Sequence, residues 1–129
     1  MRIMHTMLRV VDLEQAKSFY RDTLGMQLLN EWEFPEGRFT LAFLGYGDAR
    51  ENSVLELTWN WDTNSYDKGN AYGHIAIGVP DVYAACEQIR RAGGTIVREA
   101  GPMKGGDKVL AFARDPDGYL IELLEDVAD

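Results

Sequence analysis

His5-Thr6-Met7-Leu8-Arg9-Val10-Val11-Asp12 and, 69 positions later, His74-Ile75-Ala76-Ile77-Gly78-Val79-Pro80-Asp81 are two copies of one pattern. At the same shift Val10 falls on Val79, Asp12 on Asp81, Ala16 on Ala85, Arg21 on Arg90 and Gly25 on Gly94. Leu41-Ala42-Phe43 falls on Leu110-Ala111-Phe112, and after a three-residue shortening Leu55-Glu56-Leu57 falls on Ile121-Glu122-Leu123. An internal repeat of this length reads as one structural unit duplicated. The expected boundaries are about 1–66 and 70–126, within a single domain spanning 1–129.

Each copy reads as βαβββ, an α+β arrangement. The β-branched and apolar runs at 3–10 and 73–79 predict strands, and each is followed by an aspartate able to accept from the free amides of a helix start. Asp12 and Asp81 are those caps. Leu13, Ala16, Phe19, Tyr20 and Leu24 make one face of a helix over about 13–23, ended by Gly25; Val82, Ala85, Ile89 and Ala92 make that of a helix over about 82–92, ended by Gly93-Gly94. The segments 26–33, 38–45 and 53–60, then 95–99, 108–114 and 119–125, read as strands, with Asp115-Pro116-Asp117-Gly118 as a hairpin turn.

The 129 residues are 46% apolar, enough for a core without staples. Thirteen Lys and Arg against 21 Asp and Glu give a formal charge of −8, which disfavours nucleic acid and anionic membranes as partners. Cys86 is the one cysteine, so no intrachain disulfide forms, and no apolar run reaches bilayer length or resembles a signal peptide. The expectation is a soluble cytoplasmic protein. Cys86 reads as a buried structural thiol, and Trp32, Trp59, Trp61 and Phe34 as core or interface aromatics. No glycine-rich stretch precedes a helix in the manner of a phosphate cradle.

Strand alternation puts His5, Met7 and Arg9 on one face of the first strand, and Glu56, Thr58 and Asn60 on one face of the strand that ends the first unit. In the second unit it aligns His74 with Ala76 and Gly78, and Glu122 with Leu120 and Leu124. Taken singly, each histidine reads as a satisfied strand residue and each glutamate as solvated. Taken together they are the only two histidines, at matching repeat positions, and two carboxylates set among leucines, where burial without a partner costs several kcal/mol. A 2-His-2-Glu set, His5, Glu56, His74 and Glu122, suits a first-row divalent cation.

These stretches, with Leu55-Glu56-Leu57-Thr58-Trp59-Asn60, Gly73-His74-Ile75-Ala76 and Asp115-Pro116-Asp117-Gly118-Tyr119-Leu120-Ile121-Glu122, resemble the glyoxalase I (lactoylglutathione lyase) family of the vicinal-oxygen-chelate superfamily. The resemblance runs from residue 1 to about 126. It implies tandem βαβββ modules whose curved mixed sheets form a cupped metal site with His5, Glu56, His74 and Glu122 as ligands. It also implies a homodimer in which each interfacial site takes His5 and Glu56 from one chain and His74 and Glu122 from the other. The short form is similar to bacterial enzymes activated by Ni²⁺ or Co²⁺, with Zn²⁺ the alternative.

The implied reaction isomerises the hemithioacetal of glutathione and methylglyoxal to S-D-lactoylglutathione through an enediolate, with Glu122 as principal base and Glu56 as second proton carrier. Arg9 and Asn60 match positions that hold the γ-glutamyl end; Arg98 and Lys104 are candidates for the glycyl carboxylate. Asn70 stands where the animal enzymes carry an arginine. Acyl-CoA epimerisation, thiol transfer to an epoxide and metal-free drug sequestration are the rival activities of the same architecture. A three-ligand dioxygenase fits four ligands less well.

Overall fold

The computed structural model describes residues 1–126, which form two compact units, Met1–Asp67 and Lys68–Asp129, the latter described as far as Asp126. Unit 1 contains β1 (His5–Val10), α1 (Leu13–Ser18), β2 (Gln27–Phe34), β3 (Phe39–Gly45) and β4 (Val54–Asn60). Unit 2 contains β5 (Ile75–Val79), α2 (Val82–Arg91), β6 (Thr95–Pro102), β7 (Val109–Arg114) and β8 (Leu120–Glu125). Each forms a four-stranded mixed sheet, in the orders β1-β4-β3-β2 and β5-β8-β7-β6. First and last strands run parallel, and the other neighbours antiparallel.

The expected caps are present. Asp12 accepts from the Gln15 amide at 3.1 Å and Asp81 from the Ala84 amide at 3.0 Å. Gly25 and Gly93 adopt φ of +77° and +84°, the left-handed conformation in which a side chain would be strained. Each helix differs from the sequence reading in one detail. The first helix is α-helical only to Ser18 and continues as a π turn over Phe19–Thr23, a widening that accompanies burial of the adjacent Phe19 and Tyr20, whose rings meet edge-on. In the second, Cys86 rather than Ala92 completes the buried face with Val82 and Ile89, and burial pushes its thiol pKa up.

One side of each sheet forms a core. Leu8, Val10, Leu55 and Leu57 are buried in unit 1, Ile77, Ile121 and Leu123 in unit 2. Each such aliphatic side chain contributes about 1.5–3 kcal/mol. Lys17 is also buried, its ammonium 2.7 Å from both Glu14 and Glu31, so the charge is paired where it loses water. Alternate residues of β1 and β4 then face away from the core, carrying His5, Met7, Arg9, Glu56 and Asn60.

Candidate metal centre

Parallel pairing sets Met7 beside Glu56. His5, two residues earlier on the same face, lies diagonal to that carboxylate, with Nε2 2.9 Å from Glu56 Oε2. On the other side β3 places Phe43 opposite Glu56, and its ring meets the His5 imidazole edge-on with centroids 5.6 Å apart. Unit 2 repeats the constellation. Ala76 pairs with Glu122, Phe112 lies opposite it, His74 Nε2 is 3.5 Å from Glu122 Oε1, and the His74 and Phe112 rings meet edge-on at 5.2 Å. The glutamate side chains are 14% and 15% exposed, the imidazoles 40% and 41%. Each pair therefore has a carboxylate anchored in the sheet and an imidazole open on one side.

The donor chemistry fits a divalent cation. Neighbouring ligands bonded at about 2.1 Å lie about 3.0 Å apart on an octahedral ion and about 3.4 Å on a tetrahedral one, and the observed pairs bracket those separations. Among the described residues no group of three or more His, Cys, Asp and Glu gathers to hold a metal ion. Each unit offers one two-donor pair.

Sequence reasoning did not place Phe43 and Phe112 here. The signal was their match in the repeat, but only the strand register shows that each faces a glutamate. In unit 1 the imidazole borders an apolar pocket of about 180 Å³ lined by Met4, Leu29, Trp32, Phe43 and Val54, which gives Trp32 a place beside the site.

Arg9 is exposed on the His5 face, and Asn60 donates from Nδ2 to Tyr66 Oη at 3.0 Å. Arg98 is differently engaged. Its guanidinium donates to the carbonyls of Glu99, Gly101, Pro102 and Leu110, holding two register breaks that carry β6 to Pro102, beyond the expected end at 99. Gly101 and Pro102, both poor strand formers, thus lie within β6. Lys104 is exposed in the turn that follows.

Tyr72 Oη donates to the Leu120 carbonyl at 3.0 Å, and its ring packs edge-on against Tyr119. Burial, reinforced by the Asp115 charge, pushes this hydroxyl pKa up to about 12, so it remains a donor at neutral pH. No helix among the described residues is long and apolar enough to cross a membrane.

The profile of the Glyoxalase/Bleomycin resistance protein/Dioxygenase superfamily matches residues 2–123. A lactoylglutathione lyase of Neisseria meningitidis is 62% identical over 125 residues, covering 97% of this chain and 91% of its own. One from Haemophilus influenzae is 58% identical, covering 97% and 93%. The crystal structure of glyoxalase I from Zea mays superposes with a TM-score of 0.96 at 44% identity. That match covers 98% of this chain, which spans 45% of the maize chain.

Proposed function

The chain belongs to the Glyoxalase/Bleomycin resistance protein/Dioxygenase superfamily, and from that premise we propose that it is a lactoylglutathione lyase. It isomerises the hemithioacetal of glutathione and methylglyoxal to S-D-lactoylglutathione. The observation that carries this reading is the repeated His–Glu pair, set at one strand register in both units. We further read the two units as one domain.

His5, Glu56, His74 and Glu122 would hold one divalent cation per site, Ni²⁺ or Co²⁺ in preference to Zn²⁺. When bound, the cation supplies positive charge against the anion that develops on the substrate's vicinal oxygens. Two-donor units support a homodimer in which one protomer gives His5 and Glu56 and its partner completes the set, the sheets forming a cup between them. Glu122 takes the proton from C1 of the hemithioacetal and returns it at C2, while the C1 hydroxyl proton passes to the C2 oxygen. C1 becomes the thioester carbon and C2 the alcohol carbon, an internal redox exchange without an external electron carrier. Glu56 serves as second proton carrier for the other substrate hand.

Arg9 presents a cation to the γ-glutamyl carboxylate. Asn60, with Nδ2 directed to Tyr66, offers Oδ1 to the same end. Lys104 serves the glycyl carboxylate, with Arg98 shaping the neighbouring bulge and contributing its remaining guanidinium protons. A cytoplasmic location goes with the glutathione substrate.

The test is metal replacement. Protein stripped by a chelator is expected to lose formation of the thioester absorbance, and to regain it with Ni²⁺ more than with Zn²⁺. Equal recovery in both removes the nickel assignment, and undiminished activity in the stripped protein removes the metal.

A further inference from the structure

We propose that Tyr72 is a positioning residue for His74, its hydroxyl clamping the segment before β5 to the start of β8 and so aiming the imidazole at Glu122. The inference rests on the reading of His74 and Glu122 as a ligand pair.

The two units supply an internal comparison. His5 is the first residue of β1 and sits within the ladder, opposite Val54, while the Val54 amide donates to the Met4 carbonyl at 3.1 Å. The backbone that carries this imidazole is thus tied to β4 at His5 and at the residue before it. His74 instead precedes β5, whose first ladder pair is Ile75 with Ile121. A donor at the end of a strand needs another restraint if its ring is to keep one direction.

Tyr72 is placed to give it. The tyrosine lies two residues before His74, and its hydrogen-bond acceptor, Leu120, lies two residues before Glu122. One bond thus joins the two ligand-bearing segments at equal distance along the chain from both ligands. The ring is itself packed by Tyr119, over which the Lys68 ammonium lies 5.2 Å from the centroid. At the matching repeat position unit 1 carries Ile3, 73% exposed and unable to donate from its side chain. The ladder-held pair is the closer, at 2.9 against 3.5 Å.

Tyr72→Phe keeps the ring and removes only the hydroxyl. Calorimetric titration of the chelator-stripped full chain is expected to show Co²⁺ and Ni²⁺ affinity lowered about ten- to a hundredfold, as for other groups that orient a metal ligand. The visible Co²⁺ spectrum should shift, with the metal-free melting point nearly unchanged. Ile3→Ala is the control and should leave affinity as it was. His74→Ala tests the underlying pair, and should abolish tight binding. If His74→Ala weakens binding while Tyr72→Phe matches the parent in affinity and spectrum, the clamp is wrong and the pair stands. If His74→Ala binds as tightly as the parent, the ligand assignment itself fails. A Tyr72→Phe protein too weakly folded to titrate is read by its gain in melting point on adding Ni²⁺. A smaller gain than the parent's supports the clamp, and an equal gain overturns it.

Discussion

Glu122 lies between Ile121 and Leu123, exposed by 1% and 0%, yet its own side chain turns to the opposite face and meets an imidazole. Glu122→Gln preserves its size while removing the charge that accepts a proton. Turnover is expected to fall at least about a hundredfold, with the gel-filtration profile unchanged. Full activity would remove the proton-transfer role. Tyr72 supplies a second check through its pH response. Burial raises its folded pKa from the ordinary 10.0 to about 12, so the folded state favours the protonated hydroxyl. That contribution is complete below pH 10 and is lost as pH rises toward 12. Over this interval the urea midpoint of Tyr72→Phe is expected to decline less steeply than the parent's. The residues of the two His–Glu pairs were legible in the sequence because the only two histidines and two glutamates set among leucines stand at matched positions of the repeat. Tyr72 was not, because its partner lies 48 residues away and is fixed only by the pairing of β5 with β8.

Elements whose ends are set by local chemistry were the most readable. An aspartate before an apolar face and a glycine after it act within a few residues, and both caps are where the sequence put them. Asp81→Ala is expected to lower stability by about 1 kcal/mol, measured by urea denaturation, with Asp12→Ala similar. The π turn at Phe19–Thr23 and the extension of β6 were not readable in the same way. The first depends on packing two adjacent aromatic rings, and the second on a guanidinium that reaches the carbonyl of Leu110 in the next strand. In both cases tertiary contacts decide what local propensity leaves undetermined.

For the whole molecule the duplication predicts complementation. In the proposed homodimer, His5→Ala and His74→Ala proteins should each be inactive. If each site draws one pair from either protomer, mixing them by unfolding and refolding produces heterodimers with one intact site. With random pairing about a quarter of parental sites return. No recovery would place both pairs of a site in one chain or make the two defects inseparable. The parallel pairing of each unit's first and last strands has a consequence for biosynthesis. His5 and Glu56, like His74 and Glu122, are contributed by the first and last strands of a unit, which are neighbours in its sheet. A partly synthesised unit can expose its histidine, but it lacks the carboxylate until the final strand has emerged and docked. If the pairs hold the proposed cation, its capture along a translation series is expected to begin only when a unit's last strand is complete, so that the ion would sort finished units from unfinished ones.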